Sequence, residues 1–170
     1  MVVVLMGVVG SGKTTVGRLI ASKLGWEFAD ADNFHSPENI RKISHGIALT
    51  DDDRAPWLAH LSRAIEKWSE DGKNVALACS ALKHSYREKL RSGAVQFVYL
   101  KGDYDLIDQR LSERRGHFAS DSILKSQFLE LEEPSHALVV DIAQSPEAIA
   151  DEIITKLKLT KVAYPSAASK

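Results

Sequence analysis

Residues 1–15 read MVVVLMGVVGSGKTT. Val2–Met6 is a continuous apolar run rich in β-branched residues, the pattern of a strand buried on both faces, as in a parallel sheet. It feeds into Gly7-Val8-Val9-Gly10-Ser11-Gly12-Lys13-Thr14, which satisfies G-x-x-x-x-G-K-[ST] at every fixed position. Beyond Lys13, apolar Val16, Leu19, Ile20 and Leu24 recur at helical spacing until Gly25 stops the pattern. A strand, a glycine turn and a helix are the context in which this motif holds phosphate. Glycines let the backbone curl so that successive N–H groups face phosphate oxygens. The helix that follows adds its positive end. The predicted phosphate cradle is Gly7, Val8, Val9, Gly10, Ser11, Gly12, Lys13, Thr14 and Thr15. Lys13 supplies the cation and the Thr14 hydroxyl is offered to Mg²⁺. The dinucleotide fingerprint G-x-G-x-x-G fails, because Thr15 stands where its third glycine belongs.

Working outward, Trp26–Ala29 reads as a second strand ending at the polar cluster Asp30-Ala31-Asp32-Asn33. Ser36 and Pro37 signal a helix start. Asp51–Glu70 reads as one long helix, with Trp57, Leu58, Leu61, Ile65 and Trp68 along one side. Asn74–Cys79, Val95–Leu100 and Ala137–Asp141 are further strands. Tyr86–Leu90, Tyr104–Leu111, Ser122–Leu131 and Pro146–Leu157 are further helices. Strands alternating with helices give an α/β fold on a parallel sheet. The pattern predicts a single domain over 1–159. Segments 34–70 and 112–133 exceed a minimal crossover, so the first is expected to cover a substrate and the second to act as a lid. The tail, 160–170, is small, polar and expected to be disordered.

The bulk numbers narrow the function. The chain has 170 residues, a formal net charge of −1 and a pI near 6.6. A nucleic-acid binder would carry a basic surplus. One cysteine, Cys79, excludes an internal disulfide or a cysteine zinc cluster and fits a reducing compartment. No apolar run reaches the roughly 20 residues that span a bilayer. Cytoplasmic location, no membrane and no nucleic acid are the expectations.

The Asn-Lys-x-Asp signature of guanine readers is absent, and motor ATPases are usually longer. A small-molecule kinase suits the length and the two intercalated helical segments. Its acceptor hydroxyl needs a carboxylate to take its proton. Asp32 sits in the turn beyond the second strand, at the carboxyl end where open α/β sheets bind ligands. Asp30 beside it is an even choice between site and structure. Arg110, Arg114 and Arg115, on and after a helix, either approach the transferring charge or form a solvated basic face. Arg54 opposes the dipole at the start of its helix, and Lys83 and Arg87 lie four apart after the third strand. All three suit an anionic acceptor or a solvated basic face. His35 is either a substrate donor or a loop residue. Cys79, Trp57 and Trp68 read as core.

Taken together, the phosphate loop, Asp32-Asn33-Phe34-His35, Leu49–Leu58, Cys79-Ser80-Ala81-Leu82-Lys83, Tyr86-Arg87, Tyr99–Gly102 and Arg115–Phe118 resemble the small gluconokinases. Asp-Asp-Asp-Arg-x-Pro-Trp-Leu and Cys-Ser-Ala-Leu-Lys are the specific parts; the phosphate loop is shared with shikimate and adenylate kinases. The resemblance spans residues 2 to 158. It implies a three-layer P-loop kinase fold with a five-stranded parallel sheet in the order 2-3-1-4-5. It implies ATP-dependent phosphorylation of D-gluconate at the 6-hydroxyl, with Mg²⁺, by a homodimer. In that frame Asp32 orients or deprotonates the hydroxyl. Arg54, Lys83 and Arg87 line the acceptor side, and Lys13, Arg110 and Arg114 act on the phosphates.

Overall fold

A computed structural model describes residues 1–113 and 120–162. In chain order the elements are β1 (Val2–Met6), α1 (Lys13–Leu24), β2 (Glu27–Asp30), a 3₁₀ turn (Ala31–Phe34), α2 (Pro37–Ser44) and α3 (Asp51–Glu70). Then come β3 (Val75–Ala78), α4 (His84–Leu90), β4 (Val95–Lys101), α5 (Tyr104–Glu113), α6 (Ser120–Glu130), β5 (Leu138–Asp141) and α7 (Pro146–Lys156). The five strands form one parallel sheet in the order β2-β3-β1-β4-β5.

β1 is the middle strand, paired in register with β3 through Val2–Val75 and with β4 through Val2–Val95. All five of its residues are buried. Alternation divides them between the faces. Val3 and Leu5 join the core formed with α1 and α7, which also takes in Ile107, Leu111 and Leu124. Val2, Val4 and Met6 join the opposite core, with Trp57, Leu58, Leu61 and Ile65 of α3 and Tyr86 and Leu90 of α4. Two helical layers therefore sandwich the sheet, and the glycine turn that ends β1 emerges at the carboxyl edge.

The predicted elements recur, with local shifts. β2 begins at Glu27 rather than Trp26. The Trp26 N–H is taken by Ala21 O at the left-handed cap of α1, so strand pairing starts when Glu27 N–H donates to Asn74 O. α3 keeps its predicted bounds. Thr50 and Asp53 form a reciprocal capping box at its start, which accounts for one of the three aspartates there. At the chain's end, Trp26 Nε1 donates to Thr160 O at 3.0 Å and Val162 N–H donates to Leu24 O at 2.9 Å. Residues 160–162 are thus held against α1 rather than free; 163–170 lie outside the described residues, as do 114–119. Among the described residues no helix is long and apolar enough to cross a membrane.

Candidate active site

The turn between β1 and α1 is built as an anion cradle. Gly7 has φ 143° and Gly12 φ 93°. A Cβ on Gly7 would sit 2.9 Å from Leu100 O and from Ser11 Oγ, so only glycine lets the backbone pass that close. Gly12 is the N-cap of α1 and supplies no side-chain bond. No acidic residue occupies the first turn. The leading N–H groups of α1 therefore keep both their unmet hydrogen-bonding capacity and their positive dipole end for a ligand. Lys13 Nζ donates to Gly7 O at 3.0 Å and Val8 O at 2.8 Å, folding over its own loop. Burial pushes its pKa down to about 8, against the opposing pull of Cys79, Asp32 and Asp30.

Two carboxylates sit at the end of β2, Asp30 as its last residue and Asp32 just past it. Asp30 caps the 3₁₀ turn, with Oδ1 accepting from the Asp32 N–H at 3.1 Å. Its Oδ2 accepts from the Thr14 hydroxyl at 3.3 Å, tying this turn to the phosphate loop. Asp32 has its pKa raised, first by burial and then by Asp30, while His35 and Lys13 pull it down. His35 stacks on Trp57, ring centroids 4.7 Å apart and planes 15° from parallel. Burial lowers its pKa, and its buried Nδ1 has no partner among the described residues. Trp57 is both core and platform, because its Nε1 also donates to Ala31 O at 2.8 Å. One indole from α3 thus fixes both ends of the turn that carries Asp32. Cys79 is buried, and desolvation pushes its thiol up to about 12, so it is a core group.

The basic residues divide. Arg54 and Lys83 meet around Tyr86 and Asp51. Lys83 Nζ lies 2.8 Å from Asp51 Oδ1, the Tyr86 hydroxyl donates to the same carboxylate, and Arg54 Nη1 donates to the Tyr86 hydroxyl at 3.0 Å. Arg54 also pairs with Glu130, which explains a cation at the start of α3 that the dipole alone disfavours. Arg87, expected on the acceptor side, turns inward. It is 4% exposed, and its Nη1 donates to Ala81 O at 2.9 Å and Leu82 O at 2.7 Å. Ala81 is at φ 43°, a left-handed conformation costly for alanine, so Arg87 clamps a strained loop. Arg110, expected to approach the phosphates, donates from Nη2 to Ile142 O at 2.6 Å, in the loop after β5. Arg114 lies outside the described residues.

Comparison with known proteins agrees with this architecture. A family model described as shikimate kinase matches residues 9–158. The thermoresistant gluconokinase of Escherichia coli is 43% identical over 164 residues, 93% of this chain and 94% of that one. A gluconokinase crystal structure from Sinorhizobium meliloti superposes with a TM-score of 0.81 at 44% identity, covering 92% of this chain and 90% of its own. The chain belongs to the gluconokinase family. A sugar kinase from Janibacter sp. superposes with a TM-score of 0.84 at 45% identity, covering 92% of this chain and 94% of that one.

Within this gluconokinase-family chain, two α6 residues that the sequence reading does not single out touch the site. Gln127 Oε1 accepts from the Val9 N–H of the phosphate loop at 2.6 Å. Glu130 accepts from Arg54 Nη1, its oxygens 3.2 and 3.4 Å away. They are three apart and so share a helix face, which was the only sequence signal available for them.

Proposed function

We propose that this chain transfers the γ-phosphoryl group of ATP to the 6-hydroxyl of D-gluconate, releasing ADP and 6-phospho-D-gluconate. The observation that carries this reading is the juxtaposition at the carboxyl edge of the sheet. An uncapped helix N-terminus with Lys13 stands beside a carboxylate, Asp32, whose proton affinity is raised. The acceptor oxygen attacks the γ-phosphorus while the bond to the β,γ-bridging oxygen breaks. The hydroxyl proton passes to Asp32, which burial makes a better base than an ordinary aspartate. Lys13 leaves its two loop carbonyls for the phosphate oxygens. Arg54 and Lys83 supply cations for the carboxylate of a sugar acid; Arg110 and Arg114 are assigned to the phosphates from family resemblance.

The donors around Thr14 suit Mg²⁺. A threonine hydroxyl and the Asp30 carboxylate are hard oxygen ligands, and Mg²⁺ takes its remaining positions from phosphates and water. When bound, the ion would neutralise developing phosphate charge. The same reading makes the chain a cytoplasmic homodimer, with light scattering as the check on its mass.

An acceptor screen by coupled ADP release tests the assignment. Gluconate is expected to support turnover well above shikimate, glucose and water. Turnover with shikimate but not gluconate would move the chain to the other acceptor class its fold accommodates.

The lowered Lys13 pKa carries a pH prediction. Phosphate oxygens favour the charged amine, so binding ATP restores the proton above pH 8. ATP affinity is expected to be flat below pH 8 and to fall above it, by up to tenfold per unit. Calorimetric titration at pH 7 to 9.5 measures this; affinity constant to pH 9.5 would contradict it.

A further inference from the structure

We propose that Glu130 holds, at Arg54, the place that the acceptor's carboxylate takes, so that an anionic acceptor must displace it to bind. The inference rests on the reading above that Arg54 receives that carboxylate. α6 is seated by Leu124, fully buried in the core, and by partly buried Phe128, with partly buried Leu131 just past its end. From this anchored helix Gln127 reaches the phosphate loop and Glu130 reaches Arg54.

The Glu130–Arg54 pair is loose. Both carboxylate oxygens approach the same nitrogen, Nη1, at 3.2 and 3.4 Å. A charge-assisted N–H···O bond is usually about 2.7–2.9 Å long, and a well-formed arginine–carboxylate pair uses two nitrogens in parallel. Among the described residues the side-chain bonds of Arg54, including the one it donates to the Tyr86 hydroxyl, all leave from Nη1. A free carboxylate can adopt the two-nitrogen arrangement that Glu130, tethered to α6, does not make. Glu130 is also negative, so it and the acceptor's carboxylate repel each other at that arginine. Its side chain is 30% exposed, so it has a short route to water. An uncharged polyol has no charge with which to displace it. Glu130 therefore lowers affinity for every acceptor that needs Arg54 and lets anionic ones recover the contact.

The test compares wild type with Glu130→Gln, which keeps the shape and removes the charge. KM for gluconate is expected to fall about tenfold, while KM for ATP at saturating gluconate stays within twofold. The inhibition constant of D-glucitol, the uncharged counterpart, stays within twofold as competitor. If Glu130 merely braces Arg54, KM for gluconate rises instead; a rise or no change overturns the proposal. Should Glu130→Gln melt more than a few degrees below wild type, Glu130→Asp decides. Its carboxylate is one methylene short of Nη1, so KM for gluconate should again fall, and an unchanged value refutes the inference. If the wild type shows no gluconate-dependent ADP release and no gluconate binding by calorimetry, the acceptor assignment itself has failed, and this inference with it.

Discussion

Replacing Asp32 with Asn is expected to lower kcat with gluconate by at least about 10²-fold while ATP affinity stays within about threefold. Asparagine fills nearly the same volume in the 3₁₀ turn, and the Asp32 N–H bond to Asp30 belongs to the backbone, so the turn keeps its shape. What goes is the ability to take a proton. The pKa shift provides a second check. Burial and Asp30 raise the Asp32 pKa, so in the wild type kcat is lost on the acid side, as pH falls through a value above the ordinary aspartate range. That limb should vanish in the variant. The stability consequence has the opposite sign from the usual carboxylate. Because the folded-state pKa is raised, the ionised form is disfavoured by folding, a penalty absent at low pH and complete once pH exceeds the folded value. Asp32→Asn should therefore melt no lower than wild type at pH 7. Near-normal kcat in a folded variant would remove Asp32 from the chemistry.

Lys13→Met should lower kcat/KM for ATP by about 10³-fold or more, since it deletes the cation that meets developing phosphate charge in a partly desolvated site. Stability should behave differently. A lysine titrating at about 8 in the fold and near 10.5 when unfolded is more easily protonated in the unfolded chain. Its burial therefore costs stability below pH 8, and the cost shrinks as pH rises toward 10.5. Methionine carries no such charge, so Lys13→Met should match or exceed the wild-type melting temperature at pH 7. A clear drop in melting temperature would mean that the bonds from Nζ to Gly7 O and Val8 O hold the loop together in their own right. Retained catalysis would overturn the role of Lys13 altogether.

Local patterns made much of this molecule legible. The apolar run at Val2–Met6 and the caps of α1 and α3 are encoded within a few residues of where they act. The sheet order came with the family resemblance rather than from periodicity. The turn bearing Asp32 was readable because open α/β sheets place ligands beyond strand ends. The basic residues were harder to read. Arg87 is recruited by the carbonyls of Ala81 and Leu82, which present themselves only because Ala81 adopts φ 43°. Arg110 finds Ile142 O across 32 positions, and Gln127 finds Val9 across 118. Such contacts are set by how helices pack on the finished sheet, and no spacing rule along the chain encodes them. Arg54 was noticed because it opposes the dipole, but its partner Glu130 lies 76 residues away.

Cys79 directly follows β3 beside this site, 2% exposed and the one thiol in the chain. Its position makes it a built-in reporter of opening. A thiol reagent can reach it only when the sheet's carboxyl end parts, so the labelling rate under native conditions measures how often that happens. Because Cys79 lies within the electrostatic reach of Lys13, a nucleotide that steadies the phosphate loop should slow the modification. The molecule thus carries its own kinetic gauge of how firmly its active edge is held shut.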